Sequence, residues 1–178
     1  MFLYGFLEKA FELYKKAAEQ GHVDAQFNLG VMFDNGYGVK QNKIQAIQWF
    51  RKAAEQGFVD AQIDLAWMYD DGDGVPEDKT EAARWYRKAA EQGNRCGQYY
   101  LATAYYDGEG VPQDYTEAAK WYRKAAEQGD GDAQMSLAGM YEDGRGVPKD
   151  IREAQKWYRK AAEQGTDNAA FRLELLGG

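Results

Sequence analysis

Residue types that support nucleophilic catalysis or covalent cross-linking are nearly missing from this sequence. Its 178 residues include one cysteine and one histidine, Cys96 and His22, and one serine, Ser136. A single cysteine excludes an intramolecular disulfide. Nucleophilic catalysis needs a nucleophile and a base in hydrogen-bond contact, and these three residues are far apart in the chain. We therefore predict no catalytic residue, a solvated His22 and an ordinary free thiol at Cys96.

Positive charge is also in deficit. Lys and Arg number 22 against 29 for Asp and Glu, so the formal net charge is −7 and the isoelectric point is about 4.9. Proteins that bind nucleic acid neutralise phosphates with clustered Lys and Arg. The charge balance therefore argues against a nucleic-acid partner, and it favours a basic protein or peptide.

Long hydrophobic runs are missing as well. The most apolar segment is the start of the sequence, MFLYGFLEKAF. It has no basic n-region and is interrupted by Glu8 and Lys9. It is a poor signal peptide and too short to span a bilayer. We expect no membrane insertion and a cytoplasmic protein, or a periplasmic or secreted one if a leader has been removed.

What the sequence does contain is a repeat. The pentapeptide AAEQG occurs five times with a constant spacing of 36 residues, starting at Ala17, Ala53, Ala89, Ala125 and Ala161. A period of this length predicts stacked helical units that pack mainly against their neighbours. The predicted single array has a partial leading repeat at 1–21, full repeats at 22–57, 58–93, 94–129 and 130–165, and a partial trailing repeat at 166–178.

Each full repeat predicts two helices. In the first full repeat, apolar residues at helical spacing place one helix from Asp24 to about Asn35 and another from about Lys43 to Gln56. Gly36 ends the first helix, since glycine readily takes the left-handed conformation found there. In AAEQG the two alanines are expected to pack, the Glu and Gln to face solvent, and the Gly to end the helix.

The start of each second helix has the spacing of a capping box. Asp78, Asp114 and Asp150 are each followed three residues later by Glu, and Asn42 is followed by Gln45. In a capping box the first side chain accepts a bond from the N3 amide, and the Glu or Gln bonds back to the cap amide. Both halves of this exchange are predicted.

These motifs resemble those of a known family. The pattern DAQ-x-x-L-[GA]-x-M-[FY]-x-[DN]-G-x-G-V-P-x-D, followed by EAA-x-W-Y-R-K-AAEQG, is similar to the Sel-one-like repeats, relatives of the tetratricopeptide repeats. The resemblance implies an all-α, right-handed α/α solenoid of antiparallel helix pairs, with the first helices lining a concave surface. It also implies an adaptor that gathers other proteins, often in bacterial signalling, secretion or envelope processes or in eukaryotic protein degradation.

Cysteine-rich members of that family carry two cysteines per repeat, which this chain lacks. The penicillin-binding and β-lactamase activity proposed for some of those members is therefore not expected here. Metal binding has one candidate, DDGDGVPED, with acids from Asp70 to Asp78. That segment lacks the EF-hand spacing, and the same turn recurs with fewer acids, so no metal and no cofactor are predicted.

The predicted binding surface is the face of each first helix opposite Leu29 and its equivalents, located by a step of about 100° per residue. By the resemblance, this face is concave. We predict that it binds a protein or peptide, with the following contact residues: Phe27, Val31, Asp34, Ile63, Trp67, Asp70, Tyr99, Thr103, Tyr106, Met135, Gly139 and Glu142. One alternative for the apolar column Phe27, Ile63, Tyr99 and Met135 is packing against the next repeat.

Within this surface we predict a pocket around one unusual tryptophan. Its members are Trp67, Tyr99, Thr103, Tyr106 and Gly139, with an acidic rim of Asp70, Asp107 and Glu142. Aromatic residues in a groove commonly anchor a peptide, and the rim would favour Lys- or Arg-bearing partners.

Two other readings stay open. One is an enzyme or small-ligand protein that uses the pocket near Trp67. The other is a structural or regulatory module that associates through its ends. Phe2, Leu3, Phe6, Leu7, Leu173, Leu175 and Leu176 are apolar residues near the ends of the sequence. They predict either a segment of a longer array or end-to-end self-association.

Overall fold

The structure is a computed structural model that describes residues 2–177, with side chains described from Gly5 onward. Ten α-helices and no strands occur in this range. Their bounds are α1 Phe2–Glu19, α2 Val23–Asn35, α3 Lys43–Glu55, α4 Val59–Asp71, α5 Lys79–Glu91, α6 Arg95–Asp107, α7 Tyr115–Glu127, α8 Gly131–Asp143, α9 Ile151–Glu163 and α10 Ala169–Leu175. The chain divides into two compact units, Met1–Ala89 and Ala90–Gly178.

The first helices end where glycine was expected. Gly36 has φ 75°, and its amide donates to Met32 O at 2.9 Å. Gly72, Gly108 and Gly144 end α4, α6 and α8 in the same left-handed conformation. A left-handed residue at this position satisfies carbonyls that the helix leaves unpaired.

Only half of the predicted capping box is present. Asp78 Oδ1 accepts from the Glu81 amide at 3.0 Å, and Asn42, Asp114 and Asp150 cap α3, α7 and α9 likewise. The reciprocal bond was wrongly predicted, because the Asp78 amide instead donates to Tyr69 O at 2.9 Å. Glu81 is thereby released to accept from Arg84 at 2.6 Å and from Trp85 Nε1 at 3.0 Å.

Each core combines small residues with large rings. In the first unit, Leu29, Leu65 and Trp85 are fully buried, as are the alanines of the AAEQG segments in α3 and α5. Gly30 shows why small residues recur on the first helices: a Cβ added there would lie 2.6 Å from the Phe50 ring. The ring of the second helix thus packs directly on the backbone of the first, at the close spacing that helix packing favours.

Buried glutamines link successive helix pairs, and the sequence reading missed them. Gln26 Nε2 donates to Ala18 O at 3.2 Å, and Gln26 Oε1 accepts from Gln56 Nε2 at 2.7 Å. The same exchange joins Gln128 to Gln98 and Gln164 to Gln134 in the second unit. These glutamines of AAEQG are exposed, as predicted, and their amides also satisfy the buried glutamines.

In three of the turns the second glycine packs against the preceding second helix. Gly38 lies against the Leu7 carbonyl, Gly74 against Lys43, and Gly146 against the Tyr115 carbonyl, so close that no Cβ would fit. These glycines also have positive φ. The turn motif therefore sets how closely one helix pair approaches the previous one.

Candidate functional site

In the first unit, α2 and α4 form a cleft on the predicted face. Its volume is about 310 Å³, and its lining residues are Val31, Asp34, Asn35, Phe50, Asp64, Trp67, Met68, Asp71 and Asp73. Trp67 lies in one wall with 39% of its surface exposed. Three of the predicted contact residues, Val31, Asp34 and Trp67, therefore line one cavity.

Asp64 lies in this cleft and was not predicted. It is half-buried, and desolvation, reinforced by the negative charges of Asp60 and Asp34, raises its pKa to about 6. A carboxylate that is this poorly solvated gains from a cationic partner. Asp64 occupies the position held by Asn28, Tyr100 and Ser136 in the other repeats, and this departure was the signal in the sequence.

The acids at the edge of this cleft are partly neutralised within the fold. Lys43 Nζ lies 2.7 Å from both Asp34 Oδ1 and Asp73 Oδ2. Hydrogen bonds to Asp34 and then to Asp73 raise the pKa of Lys43. The Lys43 ammonium bridges two of the four lining acids and offsets one of their charges, so the lining stays negative, and Asp64 and Asp71 lie outside this bridge.

The remaining predicted residues of the first unit are engaged in packing or ion pairs. Ile63 is only 5% exposed, so it offers little surface to a partner. The half-buried Phe27 has its ring 4.9 Å from Phe58 and 5.7 Å from Phe50. Asp70, predicted as a rim acid, lies 3.1 Å from Lys79 Nζ.

In the second unit, the predicted residues of α6 surround a buried tyrosine. Thr103 Oγ1 and Tyr122 OH are 2.9 Å apart, and the rings of Tyr99 and Tyr106 lie 5.8 and 6.4 Å from that of Tyr122. Burial raises the pKa of Tyr122 to about 12, against hydrogen bonds from Thr103 and Ser136 that lower it. Tyr122 is therefore a neutral hydroxyl group at physiological pH.

Two predicted residues of α8 differ in their surroundings: Gly139 has free space beside it, and Glu142 is paired. A Cβ added at Gly139 would meet only the Tyr158 hydroxyl, at 3.7 Å, so space is available there. Glu142 accepts from Tyr158 OH at 2.8 Å and from Arg172 at 2.6 Å. This predicted rim acid is therefore paired, whereas Asp107 is exposed.

Tyr99 and Met135 also line a second, more polar cleft of about 680 Å³. The other residues in its lining are Arg95, Gly129, Asp130, Gly131, Asp132, Ser136, Gln164, Gly165, Thr166 and Asp167. Asp130 caps α8 through the Ala133 amide at 2.9 Å and lies 3.6 Å from Arg95. Each unit thus has its own cleft next to predicted contact residues.

The predicted pocket takes members from both units. Trp67 belongs to the first unit, and Tyr99, Thr103, Tyr106 and Gly139 belong to the second. A single pocket built from all five stays a prediction.

The single-copy residues occupy different places. His22 is exposed next to α2 in the first unit, and Cys96 and Ser136 are half-buried on α6 and α8 in the second. Across residues 2–177, no three His, Cys, Asp or Glu side chains are grouped so that they could hold a metal ion. None of the helices described here is long and apolar enough to cross a membrane.

Comparison with known proteins places this architecture in a family. The Sel1 repeat model matches residues 7–22, 23–58, 59–94, 97–130 and 131–166. A Sel1 repeat protein from Oxalobacter formigenes is 40% identical over 91% of this chain and 67% of its own, with a TM-score of 0.84. A protective antigen of uropathogenic Escherichia coli strains is 43% identical over 87% of this chain, with a TM-score of 0.82.

This chain spans only 33% of that E. coli chain. Cysteine rich protein B of Helicobacter pylori is more distant, with 27% identity over 74% of this chain and 94% of its own, and a TM-score of 0.57. No curated protein matches the chain significantly. The predicted fold class, an all-α solenoid of the tetratricopeptide-like kind, is confirmed by the helices and by these neighbours. The chain belongs to the Sel1 repeat family.

Proposed function

We propose that this chain is a non-catalytic scaffold that binds a segment of another protein along the exposed faces of its first helices. Sel1 repeat proteins are generally protein-interaction scaffolds, and the family is typically non-catalytic. The observation that carries the proposal is the cleft between α2 and α4, where an exposed tryptophan faces half-buried carboxylates.

The cleft suits a Lys or Arg side chain of the bound segment. The Trp67 ring offers a face for a cation, an interaction that is strongest for tryptophan. Asp64 offers a carboxylate whose raised pKa reflects poor solvation, and a bound cation would relieve this. A chain that is acidic overall attracts such a partner over longer distances.

The direct test is a set of fluorescent peptides that differ only at one central position, with Lys, Arg, Gln or Glu there. Binding is measured by fluorescence polarisation to the natural chain, to Trp67→Ala and to Asp64→Asn. Tyr37→Ala is the matched control, since Tyr37 is similarly exposed but lies in a turn.

We expect the Lys and Arg peptides to bind more tightly than the Gln and Glu peptides. Trp67→Ala should weaken that binding about two- to thirtyfold, since a cation–π contact contributes about 0.5–2 kcal/mol. Tyr37→Ala should leave it unchanged. Equal binding of all four peptides, or full binding by Trp67→Ala, would contradict the proposal. A compact ligand that displaces the peptides would favour the small-ligand alternative instead.

A further inference from the structure

One face of α1 is apolar and exposed where its counterparts are buried. Leu13 is 71% exposed, whereas three of its counterparts in later repeats, Trp85, Trp121 and Trp157, are at most 6% exposed, and the fourth, Trp49, is half-buried. Tyr14 is also exposed, although its counterpart Phe50 is buried against Gly30 of α2. Phe6, 70% exposed, lies two turns before Leu13 on the same face.

The α10 helix of a second copy is a poor match for this face. The aromatic ring of Phe50 packs on Gly30 of α2. The equivalent residues of α4, α6 and α8 are also small, namely Ala66, Ala102 and Ala138, and all four positions are buried. The counterpart in α10 is Glu174, which is exposed. A charged side chain at this place prevents the close approach that the small residues allow. Head-to-tail joining of α10 to α1 is therefore disfavoured.

A second copy of α1 is a better match. A shallow groove lined by Gly5, Glu8, Lys9, Glu12 and Leu13 runs along this face. Gly5 leaves open space in the groove, because a Cβ added there would meet no atom within 4 Å. When two α1 helices pair antiparallel about Ala10, Leu13 of each copy lies at the level of Leu7 of the other, one residue or about 1.5 Å of helical rise from Phe6.

The charges on this face also agree with antiparallel pairing. Lys9 and Glu12 lie on the same flank of the face, since they are one turn apart. Pairing about Ala10 brings Lys9 of one copy to within about two residues, along the helix axis, of Glu12 of the other. Opposite charges thus meet twice, once on each side of the two-fold axis, as an isologous interface requires.

We propose that this face of α1, made of Gly5, Phe6, Lys9, Ala10, Glu12 and Leu13, is the interface of a symmetric dimer of the chain. The contact lies within the first unit of each copy, and it leaves the cleft between α2 and α4 outside the interface residues. Dimerisation and peptide binding are separate properties, so the failure of one leaves the other standing.

The test is light scattering of the 178-residue chain over a range of concentrations, without peptide. The expected mass rises from 20.2 kDa to about twice that value. Leu13→Glu should raise the dissociation constant of the dimer at least about tenfold, since it places a charge at the centre of an apolar interface. The matched control is Leu175→Glu on α10, an equally exposed leucine, which should leave the mass unchanged.

Three further variants test the arrangement. Lys9→Glu should weaken the dimer, and Lys9→Glu combined with Glu12→Lys should restore it, with helix content checked by circular dichroism. Ala10→Cys in a Cys96→Ser background should form a disulfide-linked dimer on oxidation, because the two copies of residue 10 meet at the two-fold axis. A monomer at every concentration, or a dimer that Leu175→Glu and not Leu13→Glu dissociates, would overturn the proposal.

Discussion

Asp64 carries a negative charge in a place where the fold solvates it poorly. Its pKa in the folded chain is about 6, above the ordinary value of 3.8. Between these two values the folded chain binds the proton more tightly than the unfolded chain does. The contribution of Asp64 to stability is therefore most favourable below about pH 4 and is lost as the pH rises through 6.

Asp64→Asn should consequently stabilise the protein at pH 7. A shift of about two units corresponds to at most about 2–3 kcal/mol, and the gain should disappear near pH 4, where the natural carboxyl is neutral. Urea unfolding at both pH values measures the difference. Asp24→Asn, at an exposed acid of α2, is the control and should show no comparable dependence on pH. An Asp64→Asn gain that is equal at pH 4 and pH 7 would contradict the assigned pKa.

The cleft between α2 and α4 was not itself predicted. The helical step from Leu29 placed Val31, Asp34 and Trp67 on one face, and these three line the cleft. Asp64 is at a position between this face and the seam. It becomes part of the site because a groove between two helices also takes in residues on their flanks, and this depends on packing that one helix does not specify.

At the level of elements, the glutamine pairs hold one helix pair to the next. Gln26→Ala removes the donor to Ala18 O and the acceptor of Gln56. Because Gln26 is buried, the loss should lower the free energy of unfolding by about 1–3 kcal/mol. Thermal or urea unfolding measures the change, with Gln48→Ala on the exposed side of α3 as the control. An equal effect of both substitutions would show that the buried pair contributes little.

The turn glycines give a second test at this level, since their roles differ although their backbone angles are alike. Gly146 and Gly129 both have positive φ, so alanine should cost each about 1–2 kcal/mol of strain. Only at Gly146 would the new Cβ also collide with the Tyr115 carbonyl. Gly146→Ala should therefore be the more destabilising substitution in urea unfolding. If Gly146→Ala and Gly129→Ala lower the free energy of unfolding equally, the close packing of Gly146 contributes little to stability.

Sequence reasoning was accurate for the first half of each helix cap and for the helix stops, although the reciprocal half of the capping box was wrong. The caps at Asn42 and Asp78 and the stop at Gly36 were predicted because their partners are three or four residues away. The bond from the Asp78 amide to Tyr69 O and the bond between Gln56 and Gln26 were missed. Both join different helices, so they depend on how the helices pack.

For the whole molecule, the constant spacing of AAEQG predicted stacked units, the apolar spacing predicted two helices in each, and the resemblance to a known family supplied the solenoid. A fixed period requires every repeat to adopt the same local structure, and the helices of both units follow it. The same regularity says little about a partner. Binding depends on positions that differ between repeats, such as Trp67 and Asp64, and their surroundings are determined by contacts across helices.

The net charge of the chain leads to a prediction about salt. With a formal charge of −7 and unpaired acid in the cleft, the binding of a Lys-bearing peptide should weaken as NaCl is raised from about 50 mM to about 500 mM. Screening shortens electrostatic interactions from a range of about 10 Å at 0.1 M to about 3 Å at 1 M. The loss should be smaller in Asp64→Asn, because that variant has one fewer charge to screen, and smaller still for the Gln peptide.

Fluorescence polarisation titrations at several salt concentrations measure these slopes. Steering by charge acts mainly on the association rate, so stopped-flow measurements should place most of the salt effect there. The ring contact with Trp67 should contribute mainly to slow dissociation, since close packing does not act at a distance. If the affinity for the Lys peptide is the same at all salt concentrations, the acidic residues of the cleft do not select the partner.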